Sequence, residues 1–123
     1  LVCTGYLEKT HNIYKTLDIF CLPSWREGLP MTVLEAMMSG LPVVASNVRG
    51  SREAIEDNIN GFLIEPKNIS DLTNKLNLLI SNRELRLGMG KKGYQIAYEK
   101  FREEEIVKNE INLFNKIIRE KII

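Results

Sequence analysis

Short apolar runs rich in β-branched residues alternate along this chain with segments of helical periodicity, and that alternation narrows the fold more than any other feature. Leu1-Val-Cys-Thr4 reads as a strand closed by Gly5, followed by Ile19-Phe-Cys-Leu-Pro23, Pro42-Val-Val-Ala45 and Gly61-Phe-Leu-Ile64. Between them, His11 to Leu17 suits a short helix with Ile13, Tyr14 and Leu17 on one side. Pro30 to Ser39 predicts a helix that Gly40 stops just past its cap, and Ser51 to Glu56 a shorter one. Ser70 is expected to cap a helix running to about Ile80, with Leu72, Leu76, Leu79 and Ile80 as its buried stripe. Ser81 and Glu84 have the spacing of a capping box that opens another helix. Such a succession predicts parallel βαβ units, hence an α/β layered fold. Four strands are few for a doubly wound sheet, and no helix precedes Leu1. The chain is therefore expected to begin in mid-domain, with one sheet edge and one face uncovered.

Beyond about Lys100 the pattern becomes helical only. Val107, Ile111, Phe114 and Ile118 recur at helical spacing, with Ile106, Leu113 and Ile117 beside them. Glu103 to Glu105 suit the positive end of this helix, and Lys116, Arg119 and Lys121 the negative end. The organisation expected is one partial α/β domain over residues 1–98 and an amphipathic helix over 99–123, packing on the same domain or on one outside this chain.

Composition narrows the function classes. A net charge of +1 supplies no field to attract nucleic acid, so none is expected as a partner. No apolar run approaches the ~20 residues that span a bilayer, and Leu1 to Thr4 reads as strand rather than leader. Cys3 and Cys21 sit inside apolar runs and are expected to pack as small buried hydrophobes, in keeping with a reducing, cytoplasmic setting.

The segment with most chemistry is Pro23-Ser-Trp-Arg-Glu-Gly-Leu-Pro-Met-Thr-Val-Leu-Glu-Ala-Met-Met-Ser-Gly40. A strand ends, a polar loop with Gly28 follows, and a helix begins near Pro30, where open α/β sheets bind ligands. Gly28 lets a ligand approach the backbone. Pro30 fits the first helical position, and the free amides of Met31 and Thr32 form an anion site with the helix dipole. Glu27 and Glu35 flank that site, and carboxylates beside a phosphate are suited to accept hydrogen bonds from sugar hydroxyls. Two blander readings stand beside this one: Thr32 and Glu35 have capping-box spacing, and Glu27 fits a solvated loop charge.

Glu27 and Glu35, set within Glu-Gly-Leu-Pro-Met-Thr-Val-Leu-Glu-Ala-Met, resemble the signature of the retaining glycosyltransferases of family 4, the group 1 transferases. Gly5-Tyr6-Leu7, Leu17-Asp-Ile-Phe-Cys-Leu-Pro-Ser24, Gly40-Leu-Pro-Val-Val-Ala-Ser46, Arg49-Gly50 with Glu53, and Asn60-Gly-Phe-Leu63 resemble the family's other elements, in order. The resemblance covers Leu1 to roughly Tyr98. It implies a Rossmann-like parallel sheet with flanking helices, the C-terminal part of a GT-B fold, that binds a nucleotide-sugar donor for transfer with retention of configuration. By resemblance, Glu35 meets the ribose hydroxyls and Glu27, the catalytic candidate, lies near the donor sugar and its diphosphate. Gly28, Leu29, Pro30, Met31 and Thr32 contact sugar and phosphate, and Tyr6 and Leu7 lie towards the base. No metal or other cofactor is implied. The family's phosphate-binding Arg and Lys and its N-terminal Rossmann domain lie upstream of Leu1, so this fragment alone is expected to be inactive. The final helix commonly crosses back over that N-terminal domain. Cytoplasmic polysaccharide biosynthesis, with peripheral contact at the inner face of the cell membrane, is the setting the resemblance suggests.

Two other classes stay open: a glycoside hydrolase using Glu27 and Glu35 as a carboxylate pair, and a non-catalytic nucleotide-binding or interaction module. Among the remaining residues, Arg26 and His11 read as surface positions, Trp25 as a partly buried loop anchor, and Met37 with Met38 as core filling.

Overall fold

A computed structural model describes residues 1–122, with side chains through Glu120. In order, the elements are α1 (His11–Tyr14), β1 (Phe20–Leu22), α2 (Met31–Met38), β2 (Val43–Ser46), α3 (Arg49–Ala54), β3 (Gly61–Ile64), α4 (Ile69–Ser81), α5 (Arg83–Phe101) and α6 (Glu103–Ile122). The three strands form a parallel sheet in the order β1-β2-β3, with Phe20 opposite Val43 and Val43 opposite Gly61. The chain thus has the α/β, Rossmann-like architecture expected, with flanking helices and a long C-terminal helix.

β2 explains why an unbroken apolar run suits this sheet. It is the central strand, and all four of its residues are buried. Its side chains alternate between two helical layers. Val43 and Ala45 face a core shared with Val33, Leu34, Ala36 and Met37 of α2 and Ala97 of α5. Val44 faces the other core, with Phe62 and Ile64 of β3, Leu79 of α4 and Met89 of α5. Gly40, at φ +75°, ends α2 in the left-handed conformation that glycine adopts without a Cβ penalty.

The structure departs from the sequence pattern in several places. Leu1 to Thr4 forms no strand; these residues are exposed and pair with nothing among the described residues. A four-residue apolar run has no ladder to join without a neighbouring strand, so periodicity alone does not make it one. Cys3 and Cys21 are both exposed free thiols rather than core residues. Cys3 lies in that unpaired segment, and Cys21 points away from the core on the edge strand β1. Met38 is exposed although Met37 is fully buried, because successive helical positions face different ways. Ile80 likewise stands outside the α4 stripe. The caps shift to asparagines: the Asn68 side chain accepts from the Asp71 amide and Asn82 from the Leu85 amide, each at 3.0 Å, in place of Ser70 and Ser81.

α5 runs without a break through residues 98 and 99, and the chain turns at Arg102, which is extended at φ −69°, ψ 143°. On α6, Val107, Ile111, Phe114 and Ile118 are exposed, so the stripe does not pack on this chain's own sheet. The expected placement of Lys121 falls outside the described side chains.

Candidate functional site

Because the strands are parallel, the loop after β1 and the loop after β2 leave the same edge of the sheet. The first, Pro23 to Pro30, delivers the chain into α2. Pro30 is the N-cap, at φ −79°, ψ 106°, with its carbonyl accepting from Val33 at 3.0 Å and Leu34 at 3.3 Å. It therefore sits one position before the first helical residue expected of it, and Met31 takes that place. No side chain caps α2. Among the described residues no backbone group accepts from the amides of Met31 and Thr32. These amides and the dipole of an eight-residue helix leave partial positive charge at the mouth of the loop.

The capping-box reading of Thr32 and Glu35 fails for a specific reason. The Glu35 carboxylate faces α1, where the Tyr14 hydroxyl donates to its Oε2 at 2.8 Å. Tyr14 is buried, its ring 5.8 Å from that of Phe20. Burial, reinforced by the hydrogen bond to Glu35 and its negative charge, pushes the phenol from 10.0 to about 12, so it remains a donor at neutral pH. Glu35 and Tyr14 share a cleft of about 380 Å³ with Glu8, Thr10, His11 and Met38.

Glu27 lies in a different cleft, of about 740 Å³, with Arg26, Gly28 and Leu29 from the first loop, Asn47 from the second, and Arg49 and Arg52 from α3 that follows it. Arg52 Nη1 donates to the Asn47 carbonyl and to its Oδ1, each at 3.1 Å. Arg49 is highly exposed and lies 3.9 Å from Glu53, which lines the same cleft, a solvent-screened pair of little strength. The start of α3 touches the first loop through Gly50: a Cβ there would fall inside the Gly28 carbonyl. A glycine at this position is what lets α3 brace that loop.

Pro30 to Thr32 separate the two glutamates along the chain. Pro30 is buried, Met31 and Thr32 are exposed, and Gly28 and Leu29 line the Glu27 cleft. Tyr6 and Leu7 are exposed in the segment before α1, beside Glu8, which lines the Glu35 cleft. Trp25 is exposed rather than half-buried, with Lys67 Nζ 4.2 Å from its ring centroid. Sequence reasoning missed Tyr14 as the partner of Glu35, and it assigned no role to Arg49 or Arg52. The arginines' three-residue spacing on one helix was the available signal; for Tyr14 the signal was a lone hydroxyl in an otherwise apolar helix face. No helix among the described residues is long and apolar enough to cross a membrane.

The model of the family described as glycosyl transferases group 1 matches residues 2–96. A Campylobacter jejuni protein, N,N'-diacetylbacillosaminyl-diphospho-undecaprenol alpha-1,3-N-acetylgalactosaminyltransferase, is 36% identical over 117 residues, 93% of this chain and 31% of its own length. A Staphylococcus aureus TarM mutant, solved in complex with fondaparinux, alpha-GlcNAc-glycerol and UDP, superposes with a TM-score of 0.83 at 35% identity. That match covers 91% of this chain and 23% of TarM. The C-terminal domain of LpcC, a group 1 glycosyl transferase from Francisella tularensis, gives a TM-score of 0.72 at 34% identity, over 80% of this chain and 52% of that domain's chain. The chain spans between about a fifth and a third of the length of curated relatives it matches, such as 26% of a Haemophilus influenzae glycosyltransferase. With the family model covering residues 2–96 of 123, the chain belongs to the group 1 glycosyl transferases.

Proposed function

We propose that this chain binds the nucleotide-sugar donor of a glycosyltransferase that retains configuration at the transferred carbon, and that a second, N-terminal domain completes the cleft. The observation that carries this is the uncapped start of α2, with a carboxylate held beside it by a buried tyrosine. The amides of Met31 and Thr32 suit the diphosphate, whose negative charge grows as the sugar departs. Glu35 accepts from the ribose hydroxyls. Glu27, among Arg26, Arg49 and Arg52, lies towards the sugar and diphosphate, with Gly28, Leu29 and Pro30 offering backbone at close range. Tyr6 and Leu7 lie towards the base. Stabilisation of the leaving group comes from these fixed amides and basic side chains, without a metal ion. The UDP complexes of TarM and of Anabaena HepE, the latter superposing with a TM-score of 0.80 at 26% identity, support a nucleoside diphosphate as the ligand.

The C. jejuni relative acts, by its name, on a diphospho-undecaprenol acceptor, and this supports cell-surface glycan assembly in the cytoplasm, in peripheral contact with the membrane. The exposed stripe of α6 then belongs against the N-terminal domain.

Calorimetric titration of the full-length protein with UDP, GDP and ADP tests this reading. Glu35→Ala is expected to weaken the preferred nucleotide by roughly 1–3 kcal/mol, the range for a lost hydrogen bond to a charged group. Binding as tight in Glu35→Ala as in wild type overturns the ribose assignment. Nucleotide binding without sugar transfer by the full-length protein marks a binding module instead.

A further inference from the structure

Resting on the ribose assignment of Glu35, we propose that Tyr14 is a positioning residue for the donor: its hydroxyl fixes one carboxylate oxygen of Glu35 and leaves the other to receive the ribose. The contact joins residues 21 apart, across the packing of α1 on α2. Tyr14 is buried and its ring rests against Phe20, so its hydroxyl points in one direction. Glu35, by contrast, stands on an exposed helix position with three rotatable bonds of its own. Among the described residues the Tyr14 hydroxyl is the single hydrogen-bond donor to that carboxylate, and no cation pairs with it. A carboxylate carries two acceptor oxygens. With Oε2 engaged at 2.8 Å, Oε1 remains available in the cleft shared with His11 and Glu8. Binding then costs less, because the rotamer freedom of Glu35 is already lost before the nucleotide arrives. The phenol is held protonated by its burial and by Glu35 itself, so it keeps this role across neutral and mildly alkaline pH.

The test uses the full-length protein and pairs each of UDP, GDP and ADP with its 2′,3′-dideoxy form. Wild type, Tyr14→Phe, Glu35→Gln and the double variant are titrated with each. Tyr14→Phe keeps the buried ring and removes only the hydroxyl. It is expected to weaken the preferred nucleotide roughly three- to tenfold, the size of one net hydrogen bond, and to bind the dideoxy form as wild type does. The double variant is expected to bind no worse than Glu35→Gln, since the hydroxyl acts through the carboxylate. If Tyr14→Phe weakens both forms alike, the tyrosine is merely structural and the inference fails. If Glu35→Gln weakens binding while Tyr14→Phe does not, the inference fails alone. If Glu35→Gln binds as wild type does, the ribose assignment and the inference fall together.

Discussion

Gly50 is where a single atom decides the shape of the site. Its backbone sits so close to the Gly28 carbonyl that a methyl group there would have to displace the loop carrying Glu27. Gly50→Ala is expected to cost about 1–3 kcal/mol of stability, as overpacking does, and to weaken nucleotide binding as well. Thermal denaturation beside calorimetry checks both. Tyr14 makes a second prediction at this scale. Its pKa rises from 10.0 to about 12 on folding, first through burial and then through Glu35. The folded state therefore holds the proton more tightly than the unfolded state. Its stabilising effect is complete below pH 10 and is lost as pH climbs towards 12. Urea unfolding across that window should show stability falling in wild type and a shallower fall in Tyr14→Phe, which has no phenol to ionise.

At the scale of elements, Asn60 is the fastening between α3 and β3. Fully buried, it accepts from the Glu56 amide at 2.8 Å through Oδ1 and donates to the Ala54 carbonyl at 3.0 Å through Nδ2. Asn60→Ala would take the partner from the buried contact at the Ala54 carbonyl and from the half-buried Glu56 amide, and is expected to cost about 1–3 kcal/mol, read from the urea midpoint at unchanged slope. Much of the element pattern was legible: Gly61–Ile64 is the strand its composition predicts, and β2 sits where an apolar run suits a strand buried on both faces. Those segments carry their own signal. The caps of α4 and α5 moved to Asn68 and Asn82 because serine and asparagine are comparable caps at neighbouring positions. At α4 the helix follows directly on Lys67, at φ +69°, and Asn68 is its cap. The signature from Glu27 to Glu35 was readable because it is one continuous segment. Its supports were not: Tyr14 lies 21 residues from Glu35, and the arginines of α3 reach the cleft only because two parallel strands end at the same edge. Contacts made by packing leave no periodicity behind.

The whole molecule presents two layers of helices around one short sheet, with both loops of the candidate site at a single edge. α6 extends from this body beyond Arg102, whose guanidinium donates to the Tyr98 hydroxyl at 3.2 Å and lies 3.7 Å from Glu105. The helix leaves Ile111 and Phe114 exposed, a stripe suited to a second domain. On the function proposed above, the donor lies at one edge of this domain and an N-terminal domain supplies the other wall of the cleft. The most direct test is a crystal structure of the full-length protein with the nucleoside diphosphate that binds it best. The diphosphate is expected on the amides of Met31 and Thr32 and the ribose hydroxyls on Glu35 Oε1, with Tyr14 still bonded to Oε2. A nucleotide bound elsewhere, or a ribose turned away from Glu35, would contradict this placement.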